Sequence, residues 1–256
     1  MLAPQMDLGL QKDCKTVEIG PLEVLRLDRP AAVDLVETSV LGRHKMSIAI
    51  CNAHTILTAF DDPNFADTLQ HMTLLNDGAG ANLASWILHG QAFPDNLNGT
   101  DLIPSLLKSI QVPMRVFLLG AREEVLQRTR QVIEQDYPQH QVVGCRNGYF
   151  RPEENEAVCA QISSVNPDLL LVAMGNPAQE RFIVENRDRI DATVCIGVGA
   201  LFDFMSGSVV RAPKAVQALG LEWLFRLLQE PTRLWKRYVI GIPRFLLAIN
   251  RLRSKV

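Results

Sequence analysis

Two short runs of unbroken apolar residues constrain the fold of this chain more than any other feature. Leu169 to Met174 and Val194 to Val198 are rich in Val, Ile and Leu, and each leads into a glycine, Gly175 and Gly199. Runs of this length without polar alternation suit strands covered on both faces, as in a parallel sheet. A polar, helix-like pattern follows each glycine, so the glycines mark where backbone comes close to something else. In an open parallel sheet that place is the carboxyl edge, where ligands bind.

The same alternation of strand and helix runs through the chain. Thr16 to Leu27 reads as a hairpin or a strand pair with a turn at Gly20-Pro21, and Asp28 caps a helix that has Pro30 in its first turn and ends at Gly42. Met46 to Cys51 is a buried strand with Asn52 at its end, before a helical pattern at Ile56, Leu57 and Phe60. Asp62-Pro63 starts a helix to about Gln70. Thr73 to Leu75 is a strand closed by Asn76-Asp77-Gly78, and a helix follows to Gly90. A polar loop, Pro94 to Thr100, precedes a helix from Leu102 to Ile110. Val116 to Leu119 is a strand ending at Gly120, with a helix from Glu123 to Gln135, a strand at Gln141 to Val143 and a helix at Glu153 to Ser163. The helix between the two opening runs begins near Ala178. This order predicts an α/β fold, a mainly parallel, Rossmann-like sheet flanked by helices with a small N-terminal β element. A boundary near Ala215 divides a core, 1–214, from a basic helical appendage, 215–256.

Charge is segregated along the chain. A net charge of −2 conceals Arg233, Lys236, Arg237, Arg244, Arg251, Arg253 and Lys255 after Pro231, a tail of +7 with no acid. The remainder holds 19 basic residues against 28 acidic ones, a net −9. Such a tail suits an anionic partner, a membrane surface or phosphates, although a solvated helical face has the same composition. Its basic residues alternate with large aliphatics rather than stacking aromatics, which disfavours nucleic acid. The amphipathic pattern Leu221, Leu224, Phe225, Leu228, then Leu234, Trp235, Tyr238 and Val239, suits a membrane interface. No apolar stretch approaches the ~20 residues of a spanning helix, and Val239 to Ile249 is interrupted by Pro243 and Arg244. Cys14, Cys51, Cys145, Cys159 and Cys195 are odd in number and widely spaced, the pattern of reduced thiols in a cytoplasmic protein. The first ten residues lack the basic start and apolar core of a signal peptide.

If the strands are parallel, Asn52, Asp77, Gly120, Gly175 with Asn176 and Gln179, and Gly199 with Asp203 all lie along one edge. Helix starts after Gly120 and Pro177 would point free N–H groups at that edge, which suits a phosphate. Asp77 is the candidate general base for a hydroxyl; an Asx turn or a helix cap is the structural reading of the same Asp-Gly. There is no Asp-x-Asp pair to hold a metal, and Asp61-Asp62 reads as a cap before Pro63. A departing diphosphate would then be met by helix N-termini and arginines. The five isolated histidines have no partner at ligand spacing. Absent Gly-x-Ser-x-Gly, Walker and Gly-x-Gly-x-x-Gly patterns disfavour hydrolase, NTPase and dinucleotide-dependent oxidoreductase readings.

The succession Asn52, Asn76-Asp77-Gly78, Asn98-Gly99-Thr100-Asp101, Gly175-Asn176-Pro177-Ala178-Gln179-Glu180, Gly197-Val198-Gly199 with Phe202-Asp203, Arg211-Ala212-Pro213 and Leu221-Glu222-Trp223-Leu224-Phe225-Arg226 resembles the WecG/TagA/CpsF glycosyltransferases from about residue 20 to Tyr238. The resemblance implies an inverting enzyme that moves a sugar from a UDP-sugar to a polyprenyl-diphosphate-linked saccharide at the cytoplasmic membrane face, in cell-wall or exopolysaccharide synthesis, without a metal. By that likeness Asp77 is the base, Asn52 stands near the sugar, and Asp203 contacts the nucleoside. The donor-binding set becomes Gly120, Gly175, Asn176, Gln179, Gly199, Asp203, Arg211, Arg226, Arg233 and Arg237. The appendage brings its arginines to the active site and holds the protein peripherally on the inner face. Three positions depart from the family pattern: Ile50 for Thr, Ala178 for Lys and Asn96 for Arg. They leave N-acetylmannosamine, its uronic acid and glucose open as donors. They also motivate an alternative, a UDP-sugar-binding or scaffold protein of the membrane that has lost transfer activity. Self-association is left open.

Overall fold

The computed structural model describes residues 15–218 and 220–254, so Cys14, Lys255 and the N-terminal ten residues lie outside the described part. Eight strands form one sheet: β1 (Thr16–Ile19), β2 (Leu22–Leu25), β3 (Met46–Cys51), β4 (Thr73–Asn76), β5 (Arg115–Gly120), β6 (Gln141–Arg146), β7 (Leu169–Ala173) and β8 (Val194–Gly197). Their order is β1-β2-β4-β3-β8-β7-β5-β6. Among the described residues only β1 and β2 pair antiparallel, as a hairpin turning at Gly20-Pro21; every other pairing is parallel. The α/β expectation and the N-terminal β element both hold.

Helices connect the strands: α1 (Arg29–Leu41), α2 (Ala53–Asp61), α3 (Pro63–Gln70), α4 (Gly78–His89), α5 (Gly99–Ser109), α6 (Glu123–Asp136), α7 (Asn155–Ser163), α8 (Ala178–Glu185) and α9 (Leu201–Met205). Side chains of successive strand residues point to opposite faces. Leu169 and Leu171 of β7 therefore join an apolar layer with α1, α5 and α6, while Leu170 and Val172 join the other with α2, α3, α7 and α8. Two covered faces explain why the strand segments read as continuous apolar runs. Asp28 and Asp62 accept backbone N–H bonds as caps of α1 and α3, as their positions predict, and Asn52, expected only as a strand-end residue, does the same for α2.

Some boundaries differ from the sequence pattern. Helix α5 begins at Gly99, earlier than expected, because Asn98 caps it by accepting from Asp101 N. Strand β6 runs on to Arg146, its register with β5 shifted between Val116 and Phe117. A 3-10 turn, Pro152–Glu154, precedes α7.

Gly120 closes β5 against β7 at a conformation no other residue suits. Its φ is +132°, and a Cβ there would stand 2.3 Å from the Ala173 carbonyl oxygen. Gly120→Ala is expected to cost roughly 2–5 kcal/mol, combining backbone strain with overpacking. Thermal melting tests it: a drop of about 5–15 °C is expected for a chain of this size, and an unchanged midpoint rules out this close approach.

After β8 the chain forms α10 (Lys214–Ala218), α11 (Glu222–Gln229), α12 (Pro231–Trp235), a π turn (Lys236–Ile240) and α13 (Gly241–Arg253). Pro243 interrupts the apolar pattern but does not end the helix. It falls in the first turn of α13, where its missing N–H is tolerated, and the wider π turn precedes it. Leu234, Phe245 and Ile249 are buried, and α13 packs on α2 and α4. Cys51, Cys145, Cys159 and Cys195 are free thiols.

Candidate active site

Parallel strands bring distant segments to one rim in a fixed order. From β4 to β5 the carboxyl ends present Asp77, Asn52, Gly199, Gly175 and Gly120. Strands spaced about 4.8 Å apart put the ends of β4 and β5 roughly 19 Å apart across four spacings. The rim is therefore a long shelf, with carboxylate chemistry at one end and bare backbone at the other.

Asp77 stands at the N-cap of α4, yet its side chain caps nothing. The first N–H of that helix, on Gly78, donates instead to Asn96 Oδ1 at 2.8 Å. The Asp77 carboxylate is thus left at the rim, where Asn52 Nδ2 donates to its Oδ2 at 3.3 Å. The Asx-turn or capping reading of Asp-Gly does not describe this residue. Burial raises its pKa, opposed by the Asn52 bond and by Arg237 and Arg226. His54, in the first turn of α2, is pushed down to about 4 by burial and by Arg237, so it is neutral near pH 7.

Gly199 marks the other part of the shelf. Its φ is +57°, and a Cβ there would meet nothing within 4 Å. Its N–H donates to Gln179 Oε1 at 3.0 Å, while Gln179 Nε2 donates to Glu180 Oε1 at 2.7 Å. Both ends of the Gln179 amide are therefore engaged within the protein, and the side chain is buried. It ties the start of α8 to the loop after β8. Glu180 is buried beside Asn176; burial raises its pKa, opposed by the Gln179 and Asn176 amides.

The C-terminal helices face this shelf. The Arg226 guanidinium lies 5.2 Å from the Phe204 ring centre and acts electrostatically on both Asp77 and Asp203. Asp203, on α9, has its pKa raised by burial against the pull of Arg233, Arg226 and Arg122. Arg233 pairs with Glu230. Arg237 Nη2 donates to Asn52 Oδ1 at 3.1 Å. Arg211 is occupied differently: its Nη1 and Nη2 donate to the two Asp101 oxygens at 2.5 and 2.7 Å, and Glu222 lies 3.7 Å from its Nε. Its fork thus joins the start of α5 to the start of α11.

Glu222 is a second carboxyl in the field of Asp77, raised by burial, that the sequence pattern did not single out. The only signal for it is its place at the start of the Leu-Glu-Trp-Leu-Phe-Arg helix. Ile50, one of the three departures, is buried among the aliphatics beneath α5.

Fold and rim together define an α/β protein with an open, mainly parallel sheet, the class in which ligands bind outside the carboxyl ends of the strands. Residues 17–256 match the model of the glycosyl transferase WecG/TagA/CpsF family, and the chain belongs to that family. A Bacillus spizizenii protein named N-acetylglucosaminyldiphosphoundecaprenol N-acetyl-beta-D-mannosaminyltransferase is 32% identical over 238 residues, 92% of this chain and 91% of its own. A Bacillus subtilis protein of the same name is 33% identical over 204 residues, covering 79% and 78%.

Proposed function

We propose that this protein transfers a sugar with inversion from a UDP-sugar to a polyprenyl-diphosphate-linked saccharide, in the synthesis of a cell-surface polymer. The observation that carries the reading is the Asp77 carboxylate, released from capping its own helix and facing the shelf between Asn52 and the C-terminal arginines. In the reaction Asp77 takes the proton of the acceptor hydroxyl as that oxygen bonds to the anomeric carbon. The bond from that carbon to the diphosphate breaks, and UDP leaves with the electron pair. Its charge falls to backbone N–H groups of the glycine end and to Arg226 and Arg233. Gly120, Gly175, Asn176, Gly199 and Asp203 form the nucleotide end in this reading, which needs no metal. Among the three donors, N-acetylmannosamine is the one that the names of both relatives contain, and those names place it on N-acetylglucosaminyldiphosphoundecaprenol.

The same reading puts the protein at the inner membrane face, where a lipid-linked acceptor is found. Among the described residues no helix is long and apolar enough to cross a membrane. Leu228, Trp235, Val239, Ile240 and Leu247 are exposed on the C-terminal helices, beside Arg233, Lys236 and Arg251. Exposed aliphatics and aromatics interleaved with cations suit an anionic interface.

A panel of UDP-N-acetylmannosamine, UDP-N-acetylmannosaminuronic acid and UDP-glucose, each with N-acetylglucosaminyl-diphosphoundecaprenol, tests the reading. UDP release that depends on acceptor is expected, with the first donor preferred. Binding of UDP-sugars without any acceptor-dependent release would instead identify a scaffold that has lost transfer activity.

A further inference from the structure

Arg237 belongs to the arginines expected to meet a departing diphosphate, yet its guanidinium is already engaged on the protein. Asn52 Oδ1 accepts from Arg237 Nη2 at 3.1 Å, from His54 N at 3.0 Å and from Thr55 N at 3.2 Å, with Thr55 Oγ1 at 3.4 Å. Donors converging on one oxygen fix which way the amide faces. Its nitrogen is thereby turned to Asp77, donating to Oδ2 at 3.3 Å. With Gly78 N–H taken by Asn96, Asn52 is the hydrogen-bond partner found for the Asp77 carboxylate among the described residues.

We propose that Arg237 is a positioning residue for the general base: it pins the Asn52 amide, and the pinned amide holds the Asp77 carboxylate in one orientation at the rim. The inference rests on Asp77 being the base. Arg237 reaches Asn52 from a segment seated by Leu234 on one side and by Phe245 and Ile249 on the other, all buried. Alignment of the base is thus tied to docking of the same segment that carries Arg233. A base aligned by the part of the chain that neutralises the leaving group couples proton removal to diphosphate departure.

The groups facing Asp77 fix the sign of the pH effect. Arg237 and Arg226 come from the appendage with Glu222, Asp101 comes from the start of α5, and the Cys51 thiol from the end of β3. Removing Arg237 deletes one of two cations opposing burial and leaves both acids in place. Asp77 then holds its proton to higher pH, and the acidic limb of the rate profile moves up.

The test compares wild type with Arg237→Lys, Arg237→Met, Asn52→Ser and the Arg237→Met/Asn52→Ser double variant. UDP-N-acetylmannosamine and N-acetylglucosaminyl-diphosphoundecaprenol are the substrates, and Asn52→Ser keeps a helix-capping hydroxyl. Arg237→Met is expected to lower kcat about 10–100-fold with donor KM within about twofold, and to move the acidic limb to higher pH. Arg237→Lys, which can still donate to Oδ1, should recover most of kcat. The double variant should be no worse than the poorer single one, the signature of two residues acting as a unit. The Asp77 carboxyl 13C titration of the protein without substrate should show the same upward midpoint. A raised donor KM with unchanged kcat and midpoint, or losses that multiply in the double variant, would overturn the proposal. If Asp77→Asn keeps its turnover, the assignment of the base itself fails. An inactive Asp77→Asn with multiplying losses at Arg237 and Asn52 sinks only the coupling.

Discussion

Asp77→Asn is expected to lower kcat by about 10²–10⁴, the loss that follows removal of a general base. The substitution keeps size and shape, so the effect isolates the capacity to accept a proton. UDP affinity should stay within about twofold, because Gly120 lies roughly 19 Å along the rim from Asp77 by strand spacing. Single-turnover rates and calorimetric titration with UDP separate the two quantities. A variant that retains wild-type turnover removes Asp77 from its role.

The pH dependence and the stability of that variant follow from one shift. Burial holds the folded pKa of Asp77 above the unfolded value. The ionised carboxylate therefore costs stability: the cost builds as pH rises from the unfolded pKa to the folded one and stays in full above it. Asn carries no such cost, so Asp77→Asn should melt at the same temperature or higher at neutral pH, with the gain vanishing in acid. The side chain does not cap α4, so no capping energy is lost in exchange. An active site that is less stable with its functional residue than without it is a common trade. In wild type, activity should fall as pH drops through the folded pKa, a limb above the ordinary Asp range that the residual rate of the variant lacks.

Strand positions and the edge that carries the site are legible in the sequence for a physical reason. Covered parallel strands must be apolar on both faces, and each must turn sharply where the backbone is approached, so Gly120, Gly175 and Gly199 stand where the runs stop. What the side chains do at that edge is set by contacts between segments far apart in sequence. Asp77 escapes capping because Asn96, on a later loop, takes the Gly78 N–H. Gln179 turns inward because the Gly199 N–H and Glu180 meet it there. Arg211 and Arg237 have similar standing in the sequence, yet one is bound to Asp101 and the other reaches Asn52. No spacing rule reports such pairings. The tail shows the same division: its amphipathic period is readable, whereas the π turn over Lys236–Ile240 that carries Arg237 has no signature in that period.

Deleting residues 230–256 should lower turnover by about 10²–10⁴ even where anchoring is irrelevant, in detergent or with a short, water-soluble acceptor. The deletion removes Arg233 and Arg237; charge-assisted hydrogen bonds of this kind contribute about 1.5–3 kcal/mol each, or roughly 10–100-fold in rate per residue. It also removes Leu234, Phe245 and Ile249, each buried, and uncovers the faces of α2 and α4 on which α13 rests. Burial at about 1.5–3 kcal/mol per side chain predicts a lower melting temperature, so lost activity alone could reflect a damaged core. The variant Phe245→Ala/Ile249→Ala resolves this, because it weakens the same packing while leaving both arginines in the chain. Turnover in the truncated protein far below that of the double alanine variant, measured well under both melting temperatures, assigns the loss to the arginines. Equal losses would mean that docking of the appendage, which also seats Arg237 on Asn52, decides turnover and that the arginines do not act apart from it. A truncated protein fully active in detergent would reduce the tail to an anchor and leave the diphosphate charge to Arg226 and the backbone.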